Sequence, residues 1–161
     1  MLINEIADLL KRLNLTIATA ESATGGRVAD ELTNIPGSSD YFLGSVVAYD
    51  NAIKNRDLNV SQSTLNTAGA VSKATAIAMA KGIKALMSVD LGLSTTGIAG
   101  PEGARPQKPV GLIYVAISSS RRDVCIRHTF DGKREENKQA FTKASLELLK
   151  EELSSWKIDE Q

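Results

Sequence analysis

The stretch Ala18-Thr-Ala-Glu-Ser-Ala-Thr-Gly-Gly-Arg-Val-Ala29 reads as a strand that runs into a polar, glycine-bearing turn and then opens a helix. Upstream, Leu15-Thr-Ile-Ala-Thr19 carries the β-branched residues that suit a short buried strand. Downstream, Val28, Leu32 and Ile35 recur at roughly helical spacing. The junction gathers Glu21, Ser22, Thr24, Gly25 and Gly26. A helix start presents unpaired N–H groups and a positive partial charge, so such a turn can hold a phosphate or stabilise a developing oxyanion. Gly25 and Gly26 leave room for a ligand or another backbone to approach.

The flanking chain supplies the layers for this unit. Leu2, Ile6, Leu9, Leu10 and Leu13 fall on one face of an N-terminal helix, with acidic residues early and Lys11-Arg12 late, as the helix dipole prefers. Asn34-Ile-Pro-Gly37 stops the second helix, and Ser38-Ser-Asp40 turns the chain into a second strand, Tyr41 to Tyr49. Asp50-Asn51 breaks that strand, and Ala52 to Leu58 reads as a short, charged, exposed connection. Ser61 to Leu65 offers one helical turn. Ser72 caps a strong helix whose buried stripe is Ala76, Met79, Ala80, Ile83 and Met87. Val89 to Thr96 is a third strand, and the glycine- and proline-punctuated segment from Gly97 to Gly111 has the length of a functional loop. Val110 to Ser118 and Val124 to Phe130 form a hairpin, and a last helix runs from about Arg134 to Leu153, with a frayed tail after Trp156.

Five strands interleaved with helices predict one three-layer α/β/α domain over residues 1–161, built on a mixed, mainly parallel five-stranded sheet. Sites in such folds lie beyond the strand ends. The first strand lacks the G-x-G-x-x-G fingerprint of dinucleotide folds. The 161 residues, 42% of them hydrophobic, suffice for a sizeable core. Lysine plus arginine and aspartate plus glutamate both total 19, which argues against a nucleic acid or a membrane surface as the main partner. Cys125 and His128 are single, so neither a disulfide framework nor an ordinary His/Cys metal site is expected. The N-terminus lacks the apolar run of a signal peptide or membrane span, and a cytoplasmic setting is expected.

Ser22 reads in two ways, as a helix cap or as a nucleophile, and its position alone favours the cap. His128 is a poor base for it, since it alternates with Val124, Ile126 and Phe130 along a strand and reads as a core or edge histidine. A neutral lysine is the remaining activator, and Lys54 is an option, although most lysines in charged segments are solvated. Tyr49 reads as a buried anchor with its hydroxyl at the rim, or as a proton relay. Arg105, Lys133 and Arg134 are sources of positive charge for an anion.

Taken together, Ala20-Glu-Ser-Ala-Thr-Gly-Gly26, Pro36-Gly-Ser-Ser39, Val47-Ala-Tyr-Asp-Asn-Ala-Ile-Lys54, Gly69-Ala-Val-Ser72, Gly97-Ile-Ala-Gly-Pro101 and Lys108-Pro-Val-Gly111 resemble the CinA C-terminal domain family over nearly the whole chain. The resemblance extends to its stand-alone nicotinamide mononucleotide amidohydrolases of the PncC type, without the nucleotide-processing domain that precedes the module in full-length CinA proteins. It implies hydrolysis of the carboxamide of nicotinamide mononucleotide to nicotinate mononucleotide and ammonia, a salvage step in pyridine-nucleotide metabolism. It places the nucleophile on Ser22, the family tyrosine on Tyr49 and the family lysine on Lys54. It makes Thr24, Gly25, Gly26, Ser39, Gly100 and Arg134 candidates for holding the mononucleotide. A small-molecule substrate and a homodimer are implied as partners, and neither metal nor organic cofactor is required.

Such chemistry needs a neutral lysine, whose ordinary pKa near 10.4 must fall to near neutrality. That corresponds to about 4 kcal/mol supplied by burial and neighbouring positive charge. Four positions depart from the family pattern. Ala23 stands where cysteine is common and Asp50 where serine is common, Ala104 replaces a glycine, and Lys133 replaces the aspartate before Arg134. The rival reading is a catalytically silent nucleotide- or partner-binding module, and a third is an amidase for another small carboxamide.

Overall fold

Every residue of the first strand, β1 (Ile17–Glu21), is buried, because it has a parallel neighbour on either side: β2 (Phe42–Val47) and β3 (Leu91–Gly97). A computed structural model describes residues 1–159, with side-chain surroundings as far as Trp156. The sheet continues through β4 (Leu112–Ser118) to β5 (Asp123–Thr129), both antiparallel to their neighbours, giving the order β2-β1-β3-β4-β5. The α/β class and the mixed five-stranded sheet expected from the sequence are what the chain adopts, parallel in its first three strands and closed by the expected hairpin.

The period-two alternation of strand side chains feeds two cores. Ile17, Leu91, Leu93, Ile113 and Val115 point to one face, where α1 (Leu2–Leu13), α2 (Arg27–Thr33) and α6 (Arg134–Asp159) pack through Ile6, Leu10, Leu32, Phe141 and Leu149. Ala18 and Ala20 point to the other face, against Leu58 of α3 (Asn51–Leu58), Leu65 of α4 (Gln62–Thr67) and Met79 and Ile83 of α5 (Lys73–Met87). Each fully buried leucine, isoleucine or phenylalanine contributes about 1.5–3 kcal/mol. The small alanines of β1 and α5 let helix and sheet approach closely, with Ala76 and Ala80 of α5 against Ala116 of β4.

The stripe of α1 is rotated slightly from the expected one: Ile3, Ile6, Ala7 and Leu10 are buried, while Leu2, Leu9 and Leu13 pack at its margin. Ser72 caps α5 as expected, its Oγ accepting from Thr75 N–H at 3.1 Å. A larger difference concerns Asn51–Leu58, which is a two-turn helix and not an exposed connection. Asp50 Oδ1 accepts from Ala52 N–H at 2.8 Å and starts it, and Lys54 and Leu58, four residues apart, face inward. The final helix continues beyond Leu153 to Asp159, and the rest of the tail expected to fray lies outside the described residues. Among the described residues no helix is long and apolar enough to cross a membrane, and no cluster of three or more His, Cys, Asp or Glu could hold a metal ion.

Candidate functional site

Glu21 ends β1 and is fully buried, and its carboxylate is what shapes the turn that follows. It accepts from the N–H groups of Gly26 (3.2 Å), Val28 (2.9 Å) and Ala29 (2.9 Å), and from the hydroxyls of Thr24 (2.6 Å) and Thr19 (3.1 Å). The helix start that the sequence offered to a phosphate is therefore filled by the chain's own anion, which satisfies the orphan donors of α2 and matches its dipole. Gly25 and Gly26 serve the same turn. Both lie at positive φ, 60° and 104°, where a side chain would be strained. Thr24 is buried and bridges Glu21 to Thr95, whose Oγ1 is 2.8 Å from its own.

Ser22 is thus not the cap of α2, whose N-cap is Gly26. Its N–H extends the sheet by donating to Thr95 O at 3.0 Å, and its carbonyl accepts from Gly25 N–H at 3.2 Å. Held at both ends, Ser22 presents its hydroxyl to Lys54, whose Nζ is 3.2 Å from Oγ. Lys54 is only 1% exposed. Its Nζ donates to Ala48 O at 2.8 Å and to Tyr49 O at 3.2 Å. Burial pushes the amine down to about 8, against the pull of the Asp50 carboxylate, which raises it. Burial alone does this work; the positive neighbour expected from the sequence is replaced by a negative one.

Tyr49 lies two residues beyond β2 and is 63% exposed, not a buried anchor. Its Oη accepts from Arg134 Nη2 at 3.1 Å, while Arg134 Nη1 donates to Gly100 O at 2.7 Å. Tyr49 therefore meets Lys54 through its carbonyl and Arg134 through its hydroxyl. Ser22, Lys54, Tyr49 and Arg134 line one cavity of about 180 Å3, together with Ala23 and Asn51. It opens beside a second cavity of about 350 Å3, and Asn51, Ala70 and Val71 form walls of both. A separate depression of about 590 Å3 between α3 and α5, at Leu58 and Gly82, contains none of these residues.

Of the residues singled out from the sequence, Ser22, Tyr49, Lys54 and Arg134 come together, and Gly100 joins them through its carbonyl. Thr24, Gly25 and Gly26 shape the turn behind Ser22 and are not among the cavity's walls. Ser39 is exposed in a single 3-10 turn, Ser38–Asp40, that precedes β2. Because β1 and β2 are parallel and Ile17 pairs with Phe42, that turn sits at the opposite end of the sheet from Ser22. His128 lies exposed on the edge strand β5, its ring 5.8 Å from that of Phe130, the edge alternative of the sequence reading.

Sequence reasoning missed Asn51 and Thr96 as cavity walls. Thr96 was findable, since it lies in the last two residues of β3 on the side where β1 ends, and such ends line sites in open α/β sheets. It also missed the role of buried Asn137, whose Nδ2 donates to Ala99 O at 3.0 Å and Gly132 O at 2.9 Å and so ties the cavity loop to the start of α6.

A model of the CinA C-terminal domain matches residues 1–153. The chain is 49% identical over 145 residues to a putative competence-damage inducible protein of Desulforudis audaxviator, covering 90% of this chain and 35% of that protein. It is 45% identical over 149 residues to a CinA-like protein of Salinibacter ruber, covering 92% of this chain and 36% of that one. The chain spans about a third of the length of these curated relatives. Among solved structures, the competence damage-inducible protein A from Klebsiella pneumoniae superposes with a TM-score of 0.93 at 31% identity over 96% of each chain. CihA from Agrobacterium tumefaciens gives 0.88 at 37% identity, over 92% of this chain and 91% of that one.

Proposed function

The chain belongs to the CinA C-terminal domain family, and from that premise we propose that it is an amidohydrolase converting nicotinamide mononucleotide to nicotinate mononucleotide and ammonia. One observation carries the reading: the arrangement around Lys54 Nζ. The carbonyls of Ala48 and Tyr49 can only accept, so they take two N–H bonds of the amine. Its remaining tetrahedral position faces Ser22 Oγ at 3.2 Å. When the amine is neutral, that position is a lone pair aimed at the hydroxyl proton, the geometry a general base needs.

The reaction then runs in two halves. Ser22 Oγ forms a bond to the carboxamide carbon as its proton passes to Lys54 Nζ. Lys54 returns the proton to the departing nitrogen, the C–N bond breaks and ammonia leaves an acyl ester on Ser22. Water attacks that ester, giving one proton to Lys54, which passes it to Ser22 Oγ as the C–O bond to the serine breaks; the carboxylic acid that leaves gives its own proton to solvent and becomes the carboxylate. The oxyanion formed in each half needs donors, and among the described residues the Ala23 and Thr24 N–H groups have no acceptor. Ala23 lines the cavity, so its amide is the donor assigned to the oxyanion, a contribution of about 3 kcal/mol. Tyr49 and Arg134 form the cavity's rim and orient the carboxamide end of the substrate.

The test is ammonia release from nicotinamide mononucleotide by the purified protein, with Ser22→Ala and a chelator-treated sample alongside. Turnover that resists the chelator and vanishes in the variant is the expected result. Binding of the mononucleotide without ammonia would replace the enzyme reading by that of a silent nucleotide-binding module.

A further inference from the structure

We propose that the second cavity, next to the Ser22–Lys54 site, is a phosphate subsite whose cations are Arg105 and Lys108, and that Arg134 is not the phosphate ligand. This rests on the mononucleotide reading above and names where its phosphoester end goes. The two cavities share Asn51, Ala70 and Val71 as walls, so one ligand can occupy both. The second is about 350 Å3, within the range of small-molecule pockets. It is lined by two cations and by no carboxylate, which suits a dianionic phosphomonoester and repels nothing in it.

The two cations are presented by one rigid turn. Arg105 N–H donates to Lys108 O and Lys108 N–H donates to Arg105 O, each at 2.9 Å. Lys108 is half-buried, and its Nζ is aimed by a bond to Ala68 O at 2.7 Å, which leaves two protons for a ligand. The lysine passes over Gly69, where an added β-carbon would lie 3.0 Å from Nζ at a φ of +86°. Arg105 has no ion-pair partner among the described residues, so its planar fork is available for bidentate contact with phosphate oxygens. Arg134, in contrast, spends its guanidinium on Gly100 O and Tyr49 Oη at the rim of the first cavity. That fixes it at the carboxamide end.

The experiment titrates ribose 5-phosphate, with ribose and inorganic phosphate as controls, into the wild-type protein, Arg105→Gln, Arg105→Gln/Lys108→Met and Arg134→Ala by calorimetry. Arg105→Gln touches an exposed side chain and guards against misfolding of the double variant. The wild type should bind ribose 5-phosphate better than either control. The double variant should lose about tenfold or more in affinity, Arg105→Gln alone severalfold, and Arg134→Ala about twofold or less. Absence of wild-type binding overturns the proposal, as does loss of binding in Arg134→Ala with the double variant unaffected. If the protein releases no ammonia from the mononucleotide yet binds ribose 5-phosphate through Arg105 and Lys108, the subsite stands and only the reaction assigned to its neighbour falls.

Discussion

Asp50 starts the helix on which Lys54 sits, and its carboxylate raises the pKa of that buried amine while burial lowers it to about 8. As the proposed base, Lys54 is mostly protonated at neutrality, and activity should climb as pH rises through about 8. Replacing Asp50 by serine keeps an N-cap and removes the opposing charge. The expected outcome is a pH–rate profile whose acid limb moves to lower pH, with faster turnover at pH 7. An unmoved limb would show that Lys54 is not the group that titrates.

Lys54→Met should reduce turnover by about a thousandfold or more, as should Ser22→Ala. The lysine change also has a stability signature that no catalytic assay can mimic. The folded amine titrates at about 8 and the unfolded one near 10.5, so between those values the unfolded state holds a proton that the folded state has released. Stability of the wild type relative to Lys54→Met should therefore rise with pH across that window, by up to about 3 kcal/mol, and stay level below it. Urea denaturation of both proteins at several pH values measures it.

Glu21→Gln puts an amide where six donors converge on a carboxylate, the Ser45 hydroxyl at 3.5 Å being the most distant. Its –NH2 must face N–H or O–H groups, which costs about 2–4 kcal/mol. A melting temperature lower by roughly 5–15 °C is expected for a chain of this size, together with loss of turnover as the Ser22 turn loosens. An unchanged melting temperature would mean that the turn does not depend on the carboxylate.

Tyr49→Phe separates two roles for the tyrosine. Its hydroxyl bonds Arg134, and it is the carbonyl that reaches Lys54. The variant should keep kcat within about tenfold of wild type and raise KM. A thousandfold fall in kcat at unchanged KM would instead make the hydroxyl a proton relay.

The fold was legible because β1 and β3 are short runs of small, β-branched and aliphatic residues, β1 runs through its turn into a helix, and Ser72 marks the start of α5, so period and punctuation agree along the chain. Two misreadings have physical causes. Lys54 sits among Asn55, Arg56 and Asp57, and a window of that polarity reads as solvated surface. Only tertiary packing turns Lys54 and Leu58 inward while Arg56 stays out. The turn after Glu21 was read as open to a phosphate because the partners of Glu21, the amides of Val28 and Ala29, lie seven and eight residues on, beyond the spacing of any ordinary cap. The serine, tyrosine and lysine were legible only through the ordered motifs that this chain shares with its family. That Arg105 and Lys108 share a cavity with Asn51 and Val71 is set by the fold and has no signal in the local sequence.

Because Glu21 occupies the start of α2 as a built-in counter-ion, the backbone N–H groups of Gly26, Val28 and Ala29, just beyond Ser22, are closed to anions from solution. On the proposed reading, inorganic phosphate should then compete at the Arg105–Lys108 cavity and leave the turn at Ser22 untouched. Inhibition by simple anions should accordingly weaken ligand capture without slowing the bond-breaking step.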